Sequence, residues 1–475
     1  MTARPTPAIT ILVTSLAAAL TSLAQAAVVS NATFTNGLAL DGAAVDRSSG
    51  SDADRRVGYF SDIYYDNRNK EWWGLSDRGP GGGVLNYETR AQRFTLDISA
   101  TGSISNFQIA ETVKFTNNGV AFNGLAPTNA GALGSSFDPE GIVITRGGNL
   151  LVADEYGPSV YEFNRAGQLL RTFSTPANLQ PKVGAAVNYN AAPPTLTAGR
   201  EPNRGFEGLA ISPDGKFAYA VLQNGTIQDG WTASSRGLYT RIVKFDMQTG
   251  QAVAQYAYKL DSAAQGRGIS SLVALGEDRF MVLERNNRGI GVGATLAGAD
   301  KAVYEIDLAG AVDVSNINLP ATGSFAGAVV KGPKLMDLDA NTLAALGNKS
   351  PEKWEGLAVG PQLADGSWFV LAGTDNDYSV TQSGAGQQFD VYYRFSDADP
   401  FASSIQCPIG AVLNCVRTSN GAAVALGSED RLLPGVLHGY TANIAGYVAP
   451  IPVPATLPLV LLGLGAVALR RKRAS

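Results

Sequence analysis

Short apolar runs broken by Gly, Asn, Asp and Pro recur along most of this chain. The pattern is clearest over 138–176. Residues 141–145 are apolar and β-branched, Arg146-Gly147-Gly148-Asn149 is a tight turn, and 150–154 is a second apolar run. Gly157-Pro158 ends that run, 160–164 alternates, Arg165-Ala166-Gly167-Gln168 turns, and 169–174 closes the unit. Four short strands joined by tight turns predict an up-and-down antiparallel meander, which must be covered by neighbours to be stable.

The same plan returns at 206–260, where Ser212-Pro213-Asp214-Gly215-Lys216 is the first turn, and more weakly at 269–319. Further copies cover 354–395 and 60–115. In the weaker copies the fourth strand is expected at 311–319 and the third at 389–395. Five copies spaced about 65 to 85 residues apart predict an all-β fold, a β-propeller of four-stranded antiparallel blades. The expectation is six blades: five visible repeats and a sixth shared by the termini, from 28–40 and 432–448, which would hide the edge strands. Residues 398–430 read as a loop on one face, and Leu343-Ala344-Ala345-Leu346 as a short helix.

The ends read differently. Arg4, an apolar run over 8–23 and Ala24-Gln25-Ala26 predict a secretory signal peptide over 1–26. The mature fold is expected over 27–450. Val453-Pro454-Ala455, an apolar run of about 13 residues and Arg470-Arg471-Lys472-Arg473 make a tripartite tail over 451–475. This tail resembles the PEP-CTERM sorting signal of Gram-negative bacteria in a VPxPA form. The resemblance implies export, transient anchoring in the inner membrane by the tail, removal by an exosortase, and release to the cell surface or exterior. It departs from the usual form in lacking the glutamate of Val-Pro-Glu-Pro. Cys407 and Cys415, the only cysteines, are expected to form a disulfide in an exported chain.

Composition removes several classes of function. The formal charge is −4, which gives no basis for nucleic-acid binding. His438 is the only histidine, so a His-cluster metal site and a two-histidine phosphatase are both excluded. No G-x-S-x-G elbow occurs.

The candidate chemistry lies at strand ends. Three repeats open on Glu-Gly: Glu140-Gly141, Glu207-Gly208 and Glu355-Gly356, with Ser61 and Ser270 at the matching places elsewhere. Polar residues also end the second strands: Ser76-Asp77-Arg78, Asp154-Glu155, Gln223-Asn224, Glu284-Arg285 and Asp375-Asn376-Asp377. Hairpin partners are antiparallel, so both sets are expected at one mouth of the central channel. Clustered carboxylates raise one another's pKa unless a cation reconciles them. Ca²⁺, with Glu140, Asp154, Glu155, Glu207, Glu284, Glu355 and Asp375 as candidate ligands, is one such cation. Arg78, Arg204 and Arg285 are the other remedy, and with Glu155 and Glu207 they form the candidate catalytic set for a phosphate or other ester.

The motifs SDRG (76–79), DPEG with ADEYGPSVYEF (138–163), NRGFEGLAISPDG (203–215), FMVLERN (280–286) and EGLAV with DND (355–359, 375–377) carry a family resemblance. The chain resembles the phytase-like, "esterase-like activity of phytase" domain family over nearly all of 27–450. That resemblance implies a propeller and, more weakly, hydrolysis of small-molecule esters or phosphate esters. The competing expectation is a non-catalytic surface or matrix propeller that binds glycan or protein.

Overall fold

The structure is a computed structural model and describes residues 28–450, apart from 52–53, 265, 294 and 384–386. Five four-stranded antiparallel sheets dominate it. In chain order of their first strands they are Asp62–Asp66, Glu71–Leu75, Arg90–Ile98 and Ile104–Lys114; then Pro139–Ile144, Leu150–Asp154, Ser159–Phe163 and Leu169–Thr172. The third holds Phe206–Ile211, Phe217–Leu222, Tyr239–Asp246 and Ala252–Lys259, and the fourth Gly268–Ala274, Arg279–Arg285, Lys301–Asp307 and Val330–Asp337. The fifth holds Trp354–Gln362, Trp368–Thr374, Gly435–Ile444 and Val29–Leu40. The first strands of the five sheets touch in a closed circuit, each against the first strands of the sheets before and after it. This is a β-propeller whose first strands line the axis.

The alternation of side chains along each strand builds the core between blades. Ile142 and Ile144 face Trp73, Leu75 and Ala91 of the first blade. Val143, one residue out of phase, faces Leu209, Ile211 and Leu222 of the third. Inner strands are therefore apolar on both faces, as the continuous burial of Pro139–Ile144 and Phe206–Ile211 shows. The rim strand Leu169–Thr172 alternates between half-buried and exposed.

The two ends of the described chain complete the fifth blade instead of forming a sixth. Val29–Leu40 pairs antiparallel with Gly435–Ile444, from Val29 opposite Ile444 to Leu40 opposite Gly435. Gly435–Ile444 pairs in turn with Trp368–Thr374. The sixth blade drawn from sequence is thus absent among the described residues, because its two segments dock on an existing sheet edge. That third place in the fifth blade had been expected for 389–395. Gln387–Tyr393 lies instead in a separate sheet with Val380–Ser383, Ile405–Pro408, Val416–Arg417 and Arg431–Leu432. Part of 398–430 is therefore strand, and the Cys407–Cys415 disulfide staples it. The fourth strand of the fourth blade is Val330–Asp337; in the segment 311–319, Val314 and Leu319 pack against Tyr239 and Ala257. Ala344–Leu346 is a single 3-10 turn.

Among the described residues no helix is long and apolar enough to cross a membrane. The signal peptide expected over 1–26 and the tail expected over 451–475 lie outside the described residues.

Candidate functional site

The site begins with an irregularity that four blades share. In the second blade Pro139 pairs with Asp154 and Gly141 with Ala153, which leaves Glu140 without a partner across the hairpin. The same slip leaves out Glu207 between Phe206 and Gly208, and Glu355 between Trp354 and Gly356. In the fourth blade it leaves out Ser270. A β-bulge re-aims the extra residue, and Glu140, Glu207 and Glu355 all line one cavity at the mouth of the channel.

The glycine after each glutamate has a packing reason. A Cβ on Gly141 would stand 2.8 Å from the Glu207 carbonyl oxygen, and one on Gly208 would stand 2.6 Å from the Leu272 nitrogen. On Gly356 it would stand 2.6 Å from Ile63. Adjacent inner strands approach too closely at this level for any side chain.

The first blade departs from the pattern and closes the axis. Asp62, at the level of those glycines, is buried. It accepts from the Ile142 N–H at 2.9 Å and from the Ser271 hydroxyl at 3.0 Å. Below it the inner strands contribute apolar residues, with Tyr447 and Pro450, to a separate cavity at the far mouth. The two cavities share no lining residue.

The near cavity is lined by charge of both signs. Arg78, Arg204, Arg267, Arg285 and Lys353 face Asp77, Glu140, Glu207, Glu352 and Glu355. Several pairs are already closed. Arg78 bonds Asp138 through its backbone N–H at 3.0 Å and its Nη1 at 2.8 Å. Arg285 donates to Ser270 Oγ at 2.8 Å and bonds Glu355. Arg204 bonds Gln223, and Gln223 bonds Glu207. The Lys353 ammonium lies 2.5 Å from Asp375 and 2.8 Å from Asp377.

Other oxygens are left over. Oε2 of Glu140, Oε2 of Glu207 and Oε1 of Glu155 are buried and have no hydrogen-bond partner among the described residues. Burial, and then the charges of Glu207, Asp138 and Glu355, push Glu140 well above the usual carboxylate range. Burial also pushes Glu207 well up, with Glu155 and Glu355 adding to it and Arg285 and Arg204 opposing it. Burial pushes Asp138 up to about 7 and Asp77 up to about 6. Burial disfavours the charge of Lys353, but Asp375 and Asp377 hold its pKa well above the ordinary lysine value.

The candidate residues divide as follows. Glu140, Glu207, Glu355, Arg78, Arg204 and Arg285 come together on the cavity wall. Glu155 stands behind it, its Oε2 3.7 Å from Arg78. Asp375 belongs to the Lys353 pair. Asp154 is not brought to the mouth as a free ligand: its oxygens accept the N–H groups of Asp138, Tyr156 and Gly157 at 3.0, 3.2 and 2.8 Å. Glu284 is likewise engaged, by Tyr258, the Asp261 N–H and Lys331 at 2.8, 2.8 and 2.7 Å. Strand alternation turns Glu284 away from the channel and its neighbour Arg285 into it. Lys353, Arg267 and Asp138 were not singled out from sequence. Asp138 had a visible signal, since it precedes Glu140 in the DPEG motif. His438 is buried in the fifth blade, its Nδ1 3.3 Å from the Tyr440 hydroxyl.

The fold and this mouth define a β-propeller with one polar, charge-lined entrance to its axis. The chain belongs to the phytase-like family: the family model described as "Esterase-like activity of phytase" matches residues 55–378. An uncharacterized secreted protein of Arthroderma benhamiae is 28% identical over 355 residues, which is 63% of this chain and 68% of that protein. Among solved structures, a protein from Lactobacillus plantarum is 14% identical over 79% of this chain and 73% of its own, with a TM-score of 0.30. A putative 6-phosphogluconolactonase from Bacteroides uniformis is 10% identical over 82% of this chain and 89% of its own, with a TM-score of 0.29.

Proposed function

We propose that this phytase-like protein is an exported hydrolase of phosphate or other esters, working at the polar mouth of the propeller. One observation carries the reading: bulged glutamates from three blades share a cavity with four arginines and a lysine. The guanidinium groups of Arg204 and Arg285 flank Glu207 and are suited to hold the ester's anionic oxygens. Glu207 Oε2, buried and unpartnered, is placed to take a proton from the attacking water. Arg78 and Lys353 add positive charge to the same cavity, suited to stabilise charge developing in the transition state. Export is supported by the name of the Arthroderma relative, a secreted protein, and by the signal peptide expected at 1–26.

The test is turnover by the purified chain of phytate, p-nitrophenyl phosphate and short acyl esters. Activity on one of these that disappears in Glu207→Gln supports the reading; no turnover of any ester overturns it. The competing reading is a propeller that binds glycan without turnover. It is favoured by the charge pairs Arg285–Glu355 and Lys353–Asp375, already closed as in a preformed binding surface. Glycan binding in calorimetry, with no hydrolysis, would select it.

A further inference from the structure

Two groups of three carboxylates at the mouth can each bring one oxygen per residue within 4.8 Å of the others. They share Asp77. One is Asp77, Asp375 and Asp377; the other is Asp77, Asp138 and Glu140. The protein supplies a cation to the first, because the Lys353 ammonium stands between Asp375 and Asp377. The second has only Arg78, which is bonded to Asp138; among the described residues neither Asp77 nor Glu140 forms an ion pair.

We infer that a hard divalent cation, Ca²⁺, binds between Asp77, Asp138 and Glu140, in the place that corresponds to the Lys353 ammonium in the neighbouring group. The acid cluster alone would not carry this. The second observation is Glu140 itself: 7% exposed, on a bulge that turns it to the cavity, with Oε2 unpartnered. A carboxylate at that depth is stable only if paired, protonated or bound to a metal. Ca²⁺ takes oxygen ligands at 2.3–2.6 Å, so two of its ligands stand up to about 5 Å apart, and the spacing of the three acids suits it. The three ligands are all oxygen, which favours a hard cation over zinc or copper.

Asp77 and Glu140 also line the open cavity, so coordination positions would remain for water or a substrate oxygen. This deepens the hydrolase reading by giving the same mouth a metal, and that reading does not depend on it.

The test measures binding separately from turnover. The purified chain, stripped with EDTA and dialysed against Ca²⁺, is expected to retain about one equivalent by elemental analysis. It should sensitise Tb³⁺ luminescence that Ca²⁺ competes away. Glu140→Gln should weaken binding at least tenfold. Glu162→Gln, an acid of the second blade that lies outside the cavity and pairs with Arg171, should bind as the parent does. If Glu140→Gln does not fold by circular dichroism, Asp77→Asn gives the same reading. A parent that retains no ion, or a Glu140→Gln that binds like the parent, overturns the inference. Ca²⁺ binding without hydrolysis of any ester would leave it standing and reject the hydrolase; hydrolysis by a chain that retains no Ca²⁺ after dialysis against it would do the reverse.

Discussion

The carboxylate of Asp62 and the hydroxyl of Ser271 lie 3.0 Å apart, although their strands are not neighbours in the ring. The first blade touches the second and fifth along the axis, and Ser271 belongs to the fourth. Asp62 therefore reaches across the axis, and its second oxygen takes the Ile142 N–H of the second blade. Burial pushes its pKa well up, while these donors act in the opposite direction. Asp62→Ala strands several buried donors at once. It is expected to cost about 3 kcal/mol of stability, read by urea denaturation. Asp62→Asn, which keeps one acceptor oxygen, is expected to cost less.

Glu207 is the residue on which hydrolysis is expected to turn. Glu207→Gln should lower kcat/KM by roughly 100-fold or more while leaving the melting temperature nearly unchanged. A base must be ionised to act, and burial places the ionisation of Glu207 well above that of an ordinary glutamate. Activity should therefore climb with pH through a range above the usual carboxylate values. A rate already flat from pH 5 upward would contradict this assignment.

Arg285 and Glu355 are a buried pair, 9% and 3% exposed at the side chain. Breaking one side leaves an uncompensated charge. Arg285→Met is expected to cost about 3 to 5 kcal/mol, and adding Glu355→Leu should restore much of it. Additive losses in a double-mutant cycle would show that the two side chains act independently.

The sequence makes the blade plan readable because strand length, turn chemistry and Glu-Gly openings repeat. It also brings Glu140, Glu207, Glu355, Arg78, Arg204 and Arg285 to one place, since hairpin partners put strand starts beside strand ends. What it hides is orientation. Asp154-Glu155 and Glu284-Arg285 are adjacent acids or acid–base neighbours in the text, yet alternation sends them to different surroundings. Lys353 precedes its strand and gains its role from Asp375 and Asp377, 22 and 24 positions on, across a hairpin. Asp62 replaces a glycine of the pattern, and only the closed ring shows that it spans the axis. The number of blades depends on where the end strands pair, which no local pattern records.

His438 offers a pH test remote from the mouth. Burial against Trp354 and Phe34 holds its pKa down to about 3 in the folded chain. Above the unfolded value of about 6.5 the histidine is neutral in both states and has no effect. Below it the unfolded state takes up a proton that the folded state refuses, so stability falls as pH drops from 6.5 towards 3. The loss at pH 5 is expected to be roughly 2 kcal/mol relative to pH 8. His438→Phe should remove that part of the acid sensitivity, measured as the pH dependence of the unfolding free energy.

The outer strand of the fifth blade sets an order of events. Thr35 bonds the Gly439 carbonyl at 2.9 Å across a separation of 404 residues. Among the described strands the one made first thus cannot be seated until its partner 435–444 has been made. Until then the fifth blade lacks its outer strand and presents a bare sheet edge, vulnerable to pairing with another copy. A chain held at this stage should aggregate or be cut by protease near its amino end, and docking of that one outer strand is what covers the exposed edge of the fifth blade.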